Sequence, residues 1–357
     1  MARLRILIGA LNWGLGHATR CQPVIEECLR RGHEVHLAAD GLAAMVFEKN
    51  NPDLPVHRLA PLNIKYSTWF WLKLLAQTKQ LLTWFWKDRR ETRRLQRLYQ
   101  YDLILSDSRP ACRVQGVPGI LIINQPSPWI PGRLIRWFTH RTLWAIINRF
   151  DEICIPDLPR ENNLSGKLIH LPGRIHRTFV GLLSRMQAPS SGASFQIPGR
   201  ILAILSGPEP SRTNFETELI LRLAGHDYRI AGGRPDLKTR TDRYLSYMDA
   251  VGLADEISKA EYIICRSGYS SLMDLAPFKK KLILVPTPGQ TEQEYLAGRL
   301  QSKRQAVVWN MKSESLQEVL NSAGLSSPFY LENEPGLLGS AIRKWEEYCQ
   351  KKSNLQG

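Results

Sequence analysis

The residues best equipped for chemistry fall in three stretches. The first is RILIGALNWGLGHATR (5–20), where the apolar run Ile6, Leu7, Ile8 closes on Gly9 and a turn with Gly14 and Gly16 delivers His17. A buried strand feeding a glycine turn and a helix start brings backbone N–H groups close to a ligand. An imidazole there titrates near neutral pH and is suited to moving a proton. The strand YDLILSD ends at Asp107, which can position an acceptor, assist His17 or cap the turn that follows. The second stretch is RILAILSGPEPSR (200–212), a strand followed by Ser206, Gly207 and a rigid turn through Glu209, then a helix whose expected N-cap is Thr213 or Asn214. Its backbone N–H groups from Ser206 to Glu209, with the helix dipole, can hold a diphosphate, and an ordinary βα loop explains the pattern as well.

The third stretch, 263–300, carries more. One strand ends at Arg266-Ser267-Gly268 and leads into a helix bearing Asp274; the next ends at Pro286, and Gln290, Thr291, Glu292 and Gln293 open a further helix. A carboxylate such as Asp274 can accept both hydroxyls of a ribose, and Glu292 with Gln293 can bind sugar hydroxyls at a helix start. Taken singly, Asp274 reads equally as a solvated helix carboxylate and Glu292 as a first-turn acid favoured by the dipole. Their convergence on one sheet edge favours a site.

These groups need elements to place them. Short apolar runs at 5–10, 35–39, 102–107, 119–124 and 152–156 form one series, and 200–205, 228–232, 262–265, 282–286 and 306–309 form another. Helical patterns at 18–31, 214–224, 270–277 and 292–301 lie between them. The alternation predicts parallel sheets with crossover helices in an α/β protein. MQAPSSGASFQIPG (186–199) lacks periodicity and reads as a linker. The expectation is two Rossmann-like domains, 1–185 and 200–357, facing across a cleft, with a last helix near 338–351 free to pack on either. A nicotinamide-cofactor reading is also open, since Gly14-x-Gly16 starts a helix and Asp40 ends the second strand; against it, Thr19 occupies the place of the third glycine and Trp13 crowds the loop.

The 357 residues carry 48 Lys+Arg against 33 Asp+Glu, a net charge of +15 that calls for an anionic partner. The six cysteines are scattered, with no Cys-x-x-Cys pair. They predict buried, reduced thiols in a cytoplasmic protein, with neither disulfide nor zinc roles. No run reaches the roughly 20 apolar residues of a membrane span. Seven of the ten tryptophans fall in two basic segments, 65–97 and 129–150. The first combines Trp69, Trp71, Trp84 and Trp86 with Lys73, Gln77, Gln80, Arg89, Arg90, Arg93 and Arg94. The second combines Trp129, Trp137 and Trp144 with Arg133, Arg136, Arg141 and Arg149, and has no acid. Trp, Leu and basic residues on amphipathic helices suit the interface of an anionic bilayer, and core helices are the alternative. Nucleic acid would use the charge but not so much Leu, Phe and Ile, so no nucleic-acid partner is expected.

GLGHATR, LLSR at 182–185, CRSG at 265–268 with Asp274, and TPGQTEQEYLA together resemble inverting glycosyltransferases of the GT-B fold, family 28. That group includes the peptidoglycan transferase that adds N-acetylglucosamine to a lipid-linked muramyl peptide, and the galactolipid synthases. The resemblance spans both domains and is most specific over 262–297. It implies a nucleotide-sugar donor, usually a UDP-sugar, held by the C-domain, and an acceptor on the N-domain, often a membrane lipid. It places Asp274 where the family has a ribose-binding Glu, Gln293 where a residue reads the donor sugar, Arg185 where an Arg contacts the diphosphate, and His17 where the family has a turn histidine. Two departures stand out. SGPEPSR replaces a glycine-rich phosphate loop, and Gln293-Glu294 replaces a Gln-Gln pair.

The expected function is therefore transfer of a sugar, with inversion, from a nucleotide sugar to a hydroxyl acceptor on a lipid at the inner face of the cytoplasmic membrane. His17, assisted by Asp107, is the expected base. The chain contains no Asp-x-Asp, so no metal and no cofactor is expected. Two alternatives stay open: a nucleotide-sugar 2-epimerase of the same architecture, and a non-enzymatic basic protein that binds nucleic acid or membrane.

Overall fold

The computed structural model describes residues 3–61, 78–130, 132–161, 163–173, 175–186 and 196–354. The chain divides into two compact units. Unit 1 comprises Met1–Asn12, His17–Leu183 and Asn333–Gly357; unit 2 comprises Trp13–Gly16 and Ser184–Glu332.

In unit 1 the elements run β1 (Arg5–Ala10), α1 (Gly16–Arg30), β2 (Glu34–Ala39), α2 (Gly41–Asn50), β3 (Val56–Arg58), α3 (Thr78–Tyr99), β4 (Leu103–Asp107), β5 (Gly119–Ile122), α4 (Arg133–Ile147), β6 (Glu152–Ile155) and β7 (Arg177–Phe179). The strands form one sheet in the order β3-β2-β1-β4-β5-β6-β7, every neighbouring pair parallel. Strands buried on both faces are mainly apolar, which is why ILIGA and LIL read as continuous runs, with buried Ser106 and Asp107 closing β4. Gly9 is fixed by crowding: a Cβ there would come within 2.5 Å of Cys112 Sγ. The order reverses between β1 and β4. At such a switch point the loops leaving the two strands diverge and open a crevice at their C-terminal ends. Ala10 pairs with Asp107 across this point.

Unit 2 repeats the plan: β8 (Ile201–Ile204), α5 (Ser211–Arg222), β9 (Tyr228–Ala231), β10 (Tyr244–Leu245), α6 (Ala250–Lys259), β11 (Tyr262–Cys265), α7 (Tyr269–Leu275), β12 (Lys281–Leu284), α8 (Thr291–Ser302), β13 (Ala306–Val308) and α9 (Leu316–Gly324). Its sheet, β10-β9-β8-β11-β12-β13, is parallel throughout and switches between β8 and β11. Its core gathers Ile201, Ala203, Ile230, Ile264 and Ile283 from the strands with Phe215, Leu219 and Val319 from the helices.

The C-terminal helix, Leu337–Asn354, belongs to unit 1. Its buried Glu346 lies 2.8 Å from His33 Nε2 and 3.1 Å from Arg31 Nη1. The chain changes unit between Leu183 and Ser184, and residues 187–195 of the expected linker lie outside the described residues. All six cysteines are free and buried. Helix α5 starts at Ser211, with Pro210 as its N-cap, rather than at Thr213 or Asn214. The reason is Glu209, whose carboxylate accepts from Thr213 N at 3.2 Å and Thr213 Oγ1 at 2.8 Å and so supplies the cap from further upstream.

Candidate active site

The switch point of unit 1 gathers a buried charge network. Leu11 N donates to Asp107 O at 3.1 Å, so the chain leaving β1 runs beside the end of β4 before Gly14, at φ +84°, turns it into α1. His17, in the first turn of α1, thereby brings Nδ1 to 3.2 Å from Asp107 Oδ1. One helical turn on, Arg20 donates from Nε to Asp107 Oδ2 at 2.6 Å, from Nη1 to Asn124 Oδ1 at 2.9 Å and from Nη2 to Ser108 Oγ at 3.0 Å. Arg20 Nη2 also contacts Asp107 Oδ1 and lies 3.0 Å from His17 Nδ1. Burial alone would raise the Asp107 carboxyl, but Arg20 first and then His17 hold it well below the usual range. Burial, reinforced by Arg20 and opposed by Asp107, pushes His17 below its ordinary value. The imidazole is therefore the neutral, proton-accepting form at pH 7.

Asp40 is not available to a ribose. It accepts from Arg109 Nη1 at 2.6 Å and from Asn12 Nδ2 at 3.2 Å. The acid that a nicotinamide site would need is already paired inside the unit, which removes that reading.

In unit 2 the switch point places the loop after β8 beside the loop after β11, because Ile204 pairs with Cys265. Ser206 and Gly207 follow β8, and Gly207 takes φ +105°. Glu209 also accepts from Arg212 Nε at 2.8 Å and Arg234 Nη1 at 3.2 Å. A carboxylate thus already faces the start of α5. Arg266 is 6 % exposed; its Nη1 donates to Val285 O and Pro286 O at 2.9 and 3.1 Å, and its guanidinium stacks 4.0 Å from the Phe215 ring centroid. Its buried Nε has no hydrogen-bond partner, and burial pushes the group down to about 10. Ser267 Oγ donates to Gln293 O at 2.8 Å, and Gly268 is the N-cap of α7.

Asp274, on α7, is largely buried rather than solvated. Its Oδ1 accepts from Ser184 Oγ at 2.9 Å, and its Oδ2 lies 3.8 Å from Arg185 Nε. Burial raises its carboxyl, against the pull of Arg185 and Ser184. The Arg185 side chain is 9 % exposed, yet its Nε and Nη1 make no hydrogen bond. Gln290 caps α8, Thr291 and Glu292 form its first turn, and Gln293 is buried. The Gln293 amide is held inward: Oε1 accepts from Thr287 N at 2.9 Å and Nε2 donates to Gln290 Oε1 at 2.5 Å.

Residues 232–338 match the glycosyltransferase family 28 C-terminal domain. The chain is 24% identical over 325 residues to an uncharacterized glycosyltransferase of Methanosarcina acetivorans, covering 82% of each. Among solved structures it is similar to a spinosyn rhamnosyltransferase complexed with thymidine diphosphate, at TM-score 0.59 and 16% identity over 95% of each chain. It is also similar to MurG of Acinetobacter baumannii, at TM-score 0.51 and 13% identity over 90% of this chain and 89% of that one. The chain is a glycosyltransferase of the GT-B fold whose residues 232–338 are similar to the family 28 C-terminal domain. An enzyme, it is not a mere basic binding protein. Within this glycosyltransferase the structure brings His17 to Asp107 and Arg185 to Asp274. It also adds two partners that the sequence did not flag, Arg20 and Ser184. Arg20 was visible as part of GLGHATR, three residues from His17 and so on the same helical face.

Proposed function

We propose that this enzyme moves a sugar from a nucleotide sugar, a UDP-sugar in the first instance, to a hydroxyl acceptor with inversion at the anomeric carbon. The observation that carries the donor half is Arg185, whose side chain is about nine-tenths buried beside Asp274 with two nitrogens, Nε and Nη1, unpaired. Burying a charged donor without a partner is costly, and a diphosphate oxygen is the natural complement. Arg266 adds a second such donor in the same unit. Asp274 offers its remaining lone pairs to ribose hydroxyls. The solved relative with thymidine diphosphate supports a nucleoside diphosphate as the leaving group.

In the transfer, the acceptor oxygen gives its proton to His17 Nε2 as it forms a bond to the anomeric carbon. The bond from that carbon to the diphosphate oxygen breaks, and its electron pair leaves with the nucleoside diphosphate. Nδ1–H donates to Asp107, which fixes the tautomer that leaves Nε2 free. Arg185, Arg266, the backbone near Ser206 and Gly207 and the start of α8 offset the charge that develops. No metal or cofactor takes part in this scheme.

The acceptor is proposed to be lipid-linked, at an anionic membrane surface facing the cytoplasm. Support comes from α4 and its approach, where Trp129, Leu134, Ile135, Trp137 and Phe138 are exposed, with Arg136 and Arg141 stacked on Trp129 and Trp137. Trp86 on α3 is exposed as well, whereas Trp84 is buried and Trp144 packs on the core. Trp69, Trp71, Lys73 and Gln77 lie outside the described residues. No helix among the described residues is long and apolar enough to cross a membrane.

A thermal-shift panel of nucleotides and nucleotide sugars tests the donor. UDP or a UDP-sugar should raise Tm by mass action, and Arg185→Gln should abolish most of the rise. A flat panel sinks the proposal. Incubation with donor alone should yield no epimer; an epimer would transfer the site to the 2-epimerase reading. Flotation should carry the protein up with phosphatidylglycerol vesicles and not with phosphatidylcholine ones.

A further inference from the structure

Helix α3 has two faces that treat charge in opposite ways. The inward face buries Trp84, Asp88, Thr92 and Leu95. There Asp88 receives both Nε and Nη2 of Arg109, at 2.9 and 2.8 Å. The other face presents Trp86, Arg89, Arg90, Arg93 and Arg97 around a cavity of about 580 Å³. Positions 86, 90, 93 and 97 recur at three- and four-residue spacing, so these side chains stack along one stripe. The acids of the helix do not serve them. Asp88 belongs to Arg109, and Glu91 pairs with Arg94 at 2.7 Å.

Two arginines outside the helix act on Arg89 through their charge: Arg113, in the loop after β4, and Arg149, after α4. Burial, then the charges of Arg93, Arg113 and Arg149, push the Arg89 guanidinium below its usual value. Arg113 Nε is buried and has no hydrogen-bond partner. Among the described residues, none of Arg89, Arg90, Arg93, Arg97, Arg113 and Arg149 makes an ion pair. Gathering arginines around a hollow works against stability, because each neighbour disfavours the others' charged form. An anion with several acceptor oxygens reverses every one of these costs, and the guanidinium fork matches phosphoryl geometry.

We infer that the cavity bounded by Trp86 and the α3 arginines is a phosphoryl-binding site, separate from the donor arginines of unit 2, that takes a phosphomonoester or diphosphate. It shares no residue with the His17–Arg20–Asp107 network. It stands whether or not the donor and membrane readings hold, since a soluble phosphate and a lipid headgroup meet the same groups.

Full-length Arg185→Gln protein provides a background in which the proposed donor site is weakened. Pyrophosphate should bind it saturably in a calorimetric titration. Arg89→Gln with Arg93→Gln should weaken that binding by about tenfold or more. The charge-matched control Arg58→Gln with Arg94→Gln should leave it within about twofold. The Arg89/Arg93 variant should keep or raise Tm, because it relieves repulsion. Phosphatidylcholine vesicles doped with phosphatidic acid or with phosphatidylglycerol identify the source. Recruitment that favours phosphatidic acid and is lost in the Arg89/Arg93 variant assigns a lipid phosphomonoester. Pyrophosphate binding without that preference assigns a soluble phosphate. Equal losses in the variant and its control, or no binding of either probe, overturn the inference.

Discussion

Two pairs of buried arginines, one in each unit, behave differently. In unit 1, Arg20 and Arg109 are almost wholly enclosed and saturated: Arg20 by Asp107, Asn124 and Ser108, Arg109 by Asp88, Asp40 and the carbonyls of Ala10 and Ala60. In unit 2, Arg185 and Arg266 are nearly as buried and keep N–H groups unpaired. Unit 2 can satisfy an arginine when structure alone requires it, as Arg212 shows with Glu209, Glu216 and the carbonyl of Gly232. Saturated arginines position other groups; unsaturated ones await an anion. On the proposed reading, the saturated pair in unit 1 supports His17, and the unsaturated pair in unit 2 is completed by the donor.

The sharpest way to break this contrast is at His17. His17→Ala should lower kcat by about 10²–10⁴-fold while nucleotide affinity stays intact, because the proposed base acts on the acceptor hydroxyl. Wild-type turnover in that variant would remove unit 1 from the chemistry. Next in size is Arg109→Met, which strands Asp88 and Asp40 in the interior. Burial already pushes Asp88 up even with Arg109 present. The loss should be about 3–5 kcal/mol in unfolding experiments. Arg266→Met, which strands no carboxylate, should cost far less stability. Equal losses at the two positions would erase the distinction.

Arg185→Gln should weaken nucleoside diphosphate binding by roughly ten- to a hundredfold, the worth of charged hydrogen bonds, with Tm of the free protein nearly unchanged. The subtlest effect concerns pH. His17 must be neutral to act, so kcat/KM falls as pH drops through its depressed folded value. Arg20→Gln removes the neighbouring positive charge and leaves Asp107 to favour imidazolium. The acid limb should then move to higher pH. A limb that stays put or moves lower would show that Arg20 does not set the basicity of His17.

Much of this architecture was legible in the chain. The strands that carry the sites, 5–10, 102–107, 200–205 and 262–265, are mainly apolar because both faces are covered, and their observed limits match or differ by one residue at an end. Three of the four edge strands were not legible, Ala306–Val308 being the exception. Val56–Arg58, Arg177–Phe179 and Tyr244–Leu245 are two or three residues long and carry no apolar run to mark them. Helices Gly41–Asn50, Ala250–Lys259 and Leu316–Gly324 were also passed over. At the sites, His17 and Asp107 stood out by their places at strand ends. The role of Arg20 did not, since its partner lies 87 residues away and only the register of β1 on β4 joins them. Periodicity likewise gave an amphipathic helix at Trp84 and Trp86 without saying which tryptophan turns inward. That depends on the phase of α3 against the sheet, which the Arg109–Asp88 pair sets.

The return of the C-terminal helix to unit 1 has a consequence for biosynthesis. Glu346 completes the buried contacts of His33 and Arg31, so the first sheet stays unfinished on the ribosome until the second has been translated. Cutting the gene at the unit boundary would yield an N-terminal fragment with an uncovered apolar flank, prone to aggregate, and co-expression of a peptide spanning Asn333–Asn354 should rescue it.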